Sequence, residues 1–259
     1  GGNGGAGSRA VVPVRNVKGV HFLKAFADVF HRAGFGNGPQ DMGDAVLRGK
    51  IIFGFVEFNP FPDDGGKTFN AIHNALSEIG YVIRYKVLRA SEYGGVPQIR
   101  DRIYMVAFRE QEECDCFKFP NPIDLKITIE DILKRNIKKH NAYYYGTDDS
   151  FYKYAKQFVK RKDSIYRVYH DSIKLTQNHM CPTLTASMGI RENQVHLVLD
   201  DYGIRRLTVQ ECLDFQGFPS NFHFPHTITL NDAYKQIGNS VCVPVIRRIA
   251  ERIVRLRSD

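Results

Sequence analysis

The sequence predicts an α/β fold, because short apolar segments of strand length alternate with segments of helical periodicity. Ile51–Phe55 is an apolar run typical of a buried strand, and Ile103–Phe108 (IYMVAF) is a second such run. In Tyr81–Leu88 the apolar and basic side chains alternate, which is the pattern of a strand with one exposed face. Strands and helices that alternate along the chain define the α/β class.

Two helices are predicted from apolar residues at spacings of three and four. The first precedes Gly80, a natural C-cap, and presents one apolar face: Phe69, Ile72, Leu76 and Ile79. The second begins just after Pro244 and is amphipathic, with its arginines away from the apolar face: Ile246, Ile249, Ile253 and Leu256. An amphipathic terminal helix is expected to cover a core with its apolar face.

The composition is that of a globular protein and excludes wholesale disorder. Of the 259 residues, 43% are hydrophobic and 25% are charged, which is ordinary for a chain with a sizeable core. No apolar run approaches the roughly 18 residues of a membrane span. The five cysteines form no CxxC pair, and Cys114 and Cys116 are too close together for an ordinary disulfide. We therefore expect a reducing compartment, no disulfide framework and no metal site.

The charge of the chain suits a polyanionic partner. Lysine and arginine number 36 against 28 acidic residues, which gives a formal net charge of +8. Residues 118–174 contain thirteen basic and seven acidic side chains, and seven of the thirteen tyrosines lie between Tyr143 and Tyr169. Basic residues interleaved with aromatic ones are typical of a nucleic-acid surface; an irregular, solvated subdomain is the alternative.

Composition divides the chain into four parts. Residues 1–8 (GGNGGAGS) are expected to be a flexible lead or a tag remnant, and no secretory signal is visible. A change of composition near Phe119–Pro122 marks the boundary between a large-domain segment, residues 9–117, and a small domain, residues 118–237. Residues 238–259 contain the terminal helix, which is expected to return to the large domain.

A polar loop is predicted between the strands 81–88 and 103–108. It contains Gln98, Arg100 and Arg102, which lie on the same side if the segment is extended. Two guanidiniums and an amide make a set of planar donors suited to a phosphate, a carboxylate or a base carbonyl. The alternative is an exposed loop that merely carries charges.

The segment Arg206–Pro219 is predicted to be a scaffold rather than a catalytic element. Its Thr208 and Glu211 fit a capping box, so a helix is expected to begin near Val209. Gly217, followed by a proline, is expected to end that helix.

The segment Ala233–Val241 (AYKQIGNSV) lies just before the terminal helix. Gly238 permits the close approach of another backbone. Asn239 and Ser240 offer short donors and acceptors that either cap the terminal helix or contact a ligand, and capping is the simpler interpretation.

Taken together and in this order, these segments resemble the DNA (cytosine-5)-methyltransferase family. Residues 96–108 (VPQIRDRIYMVAF) match its QxRxR segment, and residues 205–219 (RRLTVQECLDFQGFP) match its R-x-LT-x-x-E-x-x-x-x-QGFP segment. Residues 233–241 match its closing GNSV segment, and residues 181–189 (CPTLTASMG) are similar to the Thr-Leu end of its target-recognition region. The resemblance covers roughly residues 50–259.

The resemblance implies a Rossmann-like methyltransferase large domain, present here only in part, and a small, mostly β target-recognition domain. Duplex DNA would lie in the cleft between the two domains. Members of the family transfer a methyl group from S-adenosylmethionine to carbon 5 of a cytosine flipped out of duplex DNA. A cysteine thiolate in a Pro-Cys-Gln loop attacks carbon 6, and a glutamate in a Glu-Asn-Val segment contacts ring nitrogen 3. A restriction–modification role in the bacterial cytoplasm, associated with the nucleoid, is also implied.

The resemblance assigns expected roles to individual residues of the large domain. Arg102 would contact the flipped cytosine near its carbonyl oxygen, Arg100 would order the pocket, and Gln98 would support the loop. Asn239 and Ser240 would line the cofactor site.

Residues of the small domain also receive expected roles. Thr183 and Leu184 would lie at its DNA-facing part. Residues 118–200 would supply phosphate contacts and base readout in the major groove. Three residues near its end would mainly organise the domain beside the DNA: Arg206, Thr208 and Glu211.

The nucleophile of the family is not found in this sequence. No Pro-Cys-Gln occurs, and no cysteine precedes Cys114. If Gly34-Phe35 is set on the Gly-Phe that follows the family's catalytic loop, Leu23 stands at the place of the nucleophile, and leucine forms no covalent adduct. The family's glycine-rich cofactor loop, Phe-x-Gly-x-Gly, has no counterpart either, and Gly34–Gly38 is interpreted as a loop.

The Glu-Asn-Val segment has only a partial counterpart. When Gly66-Lys67-Thr68 is used as the anchor, Phe55-Val56-Glu57 occupies its position. Glu57 is therefore the candidate catalytic glutamate, and an exposed glutamate at the end of a strand is the alternative.

Three functional hypotheses remain open. In the first, the chain belongs to a cytosine-5 methyltransferase whose missing segments lie outside this sequence or in a second polypeptide. In the second, it is a catalytically silent relative or adaptor that binds DNA. In the third, it is a stand-alone methyltransferase with an unrecognised nucleophile.

Overall fold

The computed structural model describes residues 55–58, 66–169, 172–176, 179–190 and 194–256. Within these residues helices and strands alternate, and the predicted α/β class is confirmed. Several sequence-based predictions fall outside the described residues: the lead at residues 1–8, Leu23, Gly34–Gly38 and most of the Ile51–Phe55 strand. None of the helices in the described part of the chain is long and apolar enough to span a bilayer.

A three-stranded sheet forms the first layer of the structure. It contains β1 (Phe55–Phe58), β2 (Val82–Arg89) and β4 (Asp101–Phe108) in the order β1-β4-β2. Because β4 is antiparallel to both neighbours, β1 and β2 run in the same direction. The helix α1 (Lys67–Glu78) connects these two strands. The central strand β4 is buried from residue 103 to its end, as its apolar sequence predicts.

Helix α1 confirms the predicted periodicity with one exception. Phe69 and Ile72 pack against Met105 on one face of the sheet. Ile79 was expected on the same apolar face, but its side chain is 60% exposed. It follows the last helical residue, and Gly80 turns the chain away with a positive φ of 85°.

The terminal helix covers the opposite face of this sheet. It is α8 (Val243–Arg255), with a proline in its first turn as the sequence predicts. Its residues Ile246, Ile249 and Ile253 share a core with Leu88 and Tyr104 of the sheet. Two short helices lie beside that core: α2 (Ala90–Tyr93) and α3 (Gln111–Cys116).

A second core packs on one face of a four-stranded antiparallel sheet with the order β6-β5-β8-β9, and a smaller cluster packs on the other face. Its strands are β5 (Ile165–Val168), β6 (Ile173–Leu175), β8 (Leu197–Asp200) and β9 (Gly203–Arg206). The sequence predicted a mostly β domain for residues 118–237, and the structure places four helices here beside the strands. They are α4 (Ile129–Leu133), α5 (Ser150–Ala155), α6 (Val209–Phe215) and α7 (Leu230–Gly238).

The short segments that join the two cores complete the fold. β3 (Gln98–Ile99) pairs in parallel with β7 (Cys181–Pro182), so the first sheet's loop lies directly against the second core. A 3-10 turn, Ala186–Gly189, follows β7 and packs on α7. The loop predicted around Gln98 is thus partly a strand.

Helix α6 begins where its capping box predicts. The backbone nitrogen of Glu211 donates to Thr208 Oγ1 at 3.1 Å, and Thr208 N donates to a carboxylate oxygen of Glu211 at 2.8 Å. The predicted capping of the terminal helix by Asn239 or Ser240 is wrong. Cys242 is the N-cap of α8, and Asn239 is instead the C-cap of α7, because that helix continues to the preceding glycine.

Candidate functional site

Three of the predicted functional segments meet around the side chain of Arg100. Its Nη1 donates to the carbonyl oxygen of Leu184 at 3.1 Å, and its Nη2 donates to that of Ser240 at 2.7 Å. The residue is only 4% exposed. A planar guanidinium holds two acceptors in fixed directions, so Arg100 ties the segment after β7 to the segment after α7.

Side chains next to Arg100 make further bonds between the two cores. The amide nitrogen of Gln98, which is fully buried, donates to the Phe215 carbonyl at the end of α6 at 2.9 Å. Thr183 Oγ1 donates to the carbonyl of Ile99 at 2.6 Å. The backbone of this loop is therefore held from both sides, and its side chains are committed to protein carbonyls.

The loop is not extended in the way that would align all three predicted donors. Gln98 N donates to the Val96 carbonyl at 2.7 Å and Arg100 N donates to the Gln98 carbonyl at 3.2 Å, so the chain bends twice. Arg102 begins the regular part of β4 and is the least buried of the three, with one nitrogen donating to the Asp101 carbonyl at 2.7 Å. Arg102 is therefore the member of the set that is best placed to meet a ligand.

The candidate glutamate lies on the strand next to Arg102. Glu57 pairs with Tyr104 across β1 and β4, which places Arg102 diagonally opposite it in the register. Such diagonal neighbours share a face and are about 7–8 Å apart at their backbones. The side chain of Glu57 lies outside the described atoms.

The candidate cofactor residues lie at the turn between α7 and α8. Asn239 and Ser240 are half-buried, and Ser240 Oγ donates to the Ile237 carbonyl at 2.6 Å. The preceding Gly238 confirms the predicted close approach of another backbone. A Cβ at this glycine would lie 2.1 Å from the carbonyl carbon of Thr185.

A buried ion network that the sequence analysis did not anticipate organises the second core. Arg205 is fully buried, donates to Asp200 at 2.6 Å and makes two bonds to Glu211 at 2.8 Å each. Arg206, which was expected to help organise the domain beside the DNA, is half-buried and donates to the Ala142 carbonyl at 2.9 Å. Neighbouring strand residues face opposite ways, so a shift by one residue exchanges these roles. The signal in the sequence for the role of Arg205 was the family's R-x-LT spacing, whose arginine is Arg205.

The buried cysteines are not suited to nucleophilic attack. Cys181 and Cys212 are fully buried, and burial raises the pKa of both thiols well above the ordinary value. Burial also raises the pKa of the Cys114 thiol. Because the thiolate is the reactive form, these three groups are inert near neutral pH.

His196 connects Thr183 to the four-stranded sheet and was not expected from the sequence. Its Nε2 lies 3.2 Å from the Thr183 carbonyl, a contact that requires a proton on Nε2. Nδ1 is buried and has no hydrogen-bond partner among the described residues. Burial lowers the pKa of His196 to about 4, so the ring is neutral at pH 7.

This histidine predicts that stability falls in mild acid. The unfolded chain takes up its proton near pH 6.5 and the folded chain only near pH 4, so the unfolded state binds more protons between these values. We expect the free energy of unfolding to drop by about 2 kcal/mol from pH 7 to pH 5 on account of this group. A His196→Gln variant, which keeps the donor to Thr183 and does not titrate, should show a drop smaller by that amount in urea titrations. An equal drop in both proteins would contradict the assignment.

Comparison with known proteins places these residues in a family. The family model described as C-5 cytosine-specific DNA methylase matches residues 62–255. Type II methyltransferase M.Bsp6I from Bacillus sp. (strain RFL6) is 43% identical over 193 residues, which cover 74% of this chain and 61% of that protein. Type II methyltransferase M.SsoII from Shigella sonnei is 32% identical over 200 residues, which cover 74% of this chain and 49% of that protein. The chain therefore spans less than two thirds of the length of these relatives.

Solved structures share the fold. A mutant of Spodoptera frugiperda DNMT2 matches with a TM-score of 0.58 at 18% identity, over 79% of this chain and 67% of that one. The Entamoeba histolytica methyltransferase EhMeth matches with a TM-score of 0.57 at 20% identity, over 78% of this chain and 62% of that one. At such identities the likeness establishes the fold alone. The sequence match over residues 62–255 shows that the chain belongs to the C-5 cytosine-specific DNA methylase family.

Proposed function

We propose that this chain is the target-recognition and C-terminal part of a cytosine-5 DNA methyltransferase of a bacterial restriction–modification system. The reaction would move a methyl group from S-adenosylmethionine to a cytosine flipped out of duplex DNA. The observation that carries the proposal is the junction at Arg100, where the QxRxR, Thr-Leu and GNSV segments of the family meet. A bacterial nucleoid is the corresponding cellular setting.

The domain arrangement that we propose follows the two cores. Residues 118–237 would form the DNA-recognition domain, and residues 238–259 would return to the large domain that begins near residue 9. The cores support this division, since α7 contributes Tyr234 and Ile237 to the second core and α8 packs in the first. Gln98 and Arg100 would hold the two domains in register.

Arg102 and Glu57 are the residues that we propose for the flipped base. Arg102 would donate to the carbonyl oxygen of cytosine, and Glu57 would act at ring nitrogen 3. Their diagonal register on neighbouring strands supports this pairing, because one base edge presents both atoms. Arg100 and Gln98 would position the loop, because both are buried and bound to protein carbonyls.

The turn after α7 fits one polar edge of the cofactor. Asn239 is half-buried, and its carboxamide makes no hydrogen bond to another described residue, so it offers a donor and an acceptor. S-adenosylmethionine supplies the methyl group when bound. Asn239 and Ser240 would hold its polar part beside the Arg100 junction, and the half-buried Thr183 and Arg206 would face the DNA. Leu184 was expected at the DNA-facing part as well, but its side chain is fully buried in the second core, so it would position this segment instead.

The attacking thiolate is proposed to come from outside this sequence. The family mechanism needs a cysteine whose thiolate forms readily, and burial raises the pKa of Cys114, Cys181 and Cys212 instead. No cysteine precedes these residues in the sequence. Either a second polypeptide or the remainder of a longer chain would supply the nucleophile and the glycine-rich cofactor loop.

A DNA-binding relative without catalytic activity is the second candidate. The absence of any cysteine before Cys114 favours it, because recognition of DNA does not require the nucleophile. Both candidates would bind DNA, but only the first would take part in methyl transfer.

DNA binding is tested by fluorescence anisotropy with a labelled duplex of mixed sequence. Several phosphate contacts are expected, so affinity should fall by about 10²- to 10³-fold between about 50 and 200 mM salt. The slope of log affinity against log salt reports the number of contacts. A chain that does not bind the duplex at the lower salt concentration would contradict the proposal.

A further inference from the structure

Two positive charges oppose each other on the hairpin formed by β5 and β6. Arg167 and Lys174 are direct cross-strand partners, and like charges in this position destabilise a sheet. Neither side chain forms an ion pair with a carboxylate in the described part of the chain. A like-charged pair of this kind is unfavourable for the stability of the sheet. Residues that are unfavourable for stability concentrate at functional sites.

An exposed aromatic ring lies close to both cations. The Arg167 guanidinium carbon is 4.6 Å from the centroid of the Tyr169 ring, and Lys174 Nζ is 5.3 Å from it. Tyr169 is 40% exposed, and its backbone nitrogen donates to the Ser172 carbonyl at 2.8 Å. The ring keeps the two cations together on one side of the hairpin.

Two nearby exposed cations differ from this pair because they are bound to carboxylates. Arg161 pairs with Asp163 at 2.6 Å, and Lys162 pairs with Asp201 at 2.6 Å. These cations lie on the same subdomain, so they provide a comparison in which the positive charge is already neutralised by a carboxylate.

The register connects the cation pair to the Arg100 junction. Tyr166 pairs with Leu197, the first residue of β8, so continuing the register by one position places Arg167 beside His196, which directly precedes that strand. His196 contacts the Thr183 carbonyl at 3.2 Å, and Thr183 donates to the loop that carries Arg100. The sheet face that carries Arg167 and Lys174 thus also carries His196, which contacts the Arg100 junction through Thr183.

We propose that Arg167 and Lys174 bind the phosphate backbone of duplex DNA and so align the DNA with the Arg100 junction. This inference rests on the proposed function and assigns its phosphate contacts to one hairpin. Two flexible cations that pair with no carboxylate among the described residues suit phosphate oxygens, and each neutralised phosphate releases counterions. Tyr169 would hold the cations in place.

The test is an Arg167→Gln/Lys174→Gln double variant in the anisotropy assay with duplex DNA of mixed sequence. Loss of two phosphate contacts should reduce the salt slope by about 1.8, so the affinity ratio between about 50 and 200 mM salt shrinks about twelvefold. The melting temperature should stay the same or rise, because the opposed charges are gone. The matched control is Arg161→Gln/Lys162→Gln, which removes the same charge and should leave the slope nearly unchanged.

The outcomes separate this inference from the proposed function. If the wild-type chain binds DNA with the expected salt dependence and the hairpin variant has the same slope, this inference is overturned and the proposed function is not. An equal loss of slope in the control would do the same, since only net charge would then matter. A lower melting temperature of the hairpin variant would show a structural role and would also overturn it. A wild-type chain that does not bind DNA would overturn both proposals.

Discussion

Replacing Arg205 with methionine is expected to lower the free energy of unfolding by about 3–5 kcal/mol. The guanidinium is fully buried and is the cationic partner of both Asp200 and Glu211. Removal of this guanidinium leaves Asp200 buried without its cationic partner and leaves Glu211 with Lys139 alone, whose Nζ is 3.8 Å from a carboxylate oxygen. The two carboxylates also bind backbone nitrogens that start α6 and turn the chain after β8, so their distortion reaches both elements. Urea titration monitored by circular dichroism measures the change.

The neighbouring arginine provides a matched control for this prediction. Arg206→Met removes the same charge one residue later, where the guanidinium donates to the Ala142 carbonyl at 2.9 Å. We expect a loss of about 1 kcal/mol or less, as for one hydrogen bond near the surface. Equal losses in the two variants would show that Arg205 is not the organising residue of the second core.

Replacing Gly238 with alanine is expected to destabilise the protein by about 1–3 kcal/mol and to weaken DNA binding. The new Cβ would lie 2.1 Å from the Thr185 carbonyl carbon and 2.2 Å from the Ala186 nitrogen. These are backbone atoms, so the contact cannot be relieved by a change of rotamer. Separation of α7 from the turn at residues 185–186 moves Leu184 and Ser240, the two acceptors of Arg100. Thermal unfolding and anisotropy measure the two effects.

Gly146 offers the comparison for the glycine prediction. A Cβ at that position meets no atom within 4 Å. A Gly146→Ala variant is therefore expected to be as stable as the wild type or slightly more stable, because alanine reduces the freedom of the unfolded chain. If the Gly146→Ala and Gly238→Ala variants were equally stable, the contact of Gly238 with Thr185 would not be a tight one.

Local elements of the fold could be predicted from the sequence because their signals are local. The capping box of Thr208 and Glu211 starts α6, and the proline after Val243 starts α8, as expected. The apolar run in β4 and the alternation in β2 also predicted strands. Each of these signals is contained within a few residues.

The pairing of distant segments could not be read in the same way. Nothing in the sequence near Gln98 indicates that its partner is Cys181, because the parallel bridge joins segments far apart in the chain. The family resemblance gave Arg100 and Arg102 different expected roles, but the backbone bends around Gln98 were known only from the structure. The burial of Arg205 rather than Arg206 was not predicted for the same reason, since one residue of register decides which side chain enters the core.

The central claim is that this chain recognises DNA and does not hold the nucleophile of methyl transfer. It is tested most directly by incubating the purified chain alone with labelled S-adenosylmethionine and duplex DNA of mixed sequence. We predict salt-sensitive DNA binding without incorporation of label, because the sequence contains no Pro-Cys-Gln segment and burial raises the pKa of the Cys114, Cys181 and Cys212 thiols. Incorporation of label at carbon 5 of cytosine by this chain alone would contradict the account.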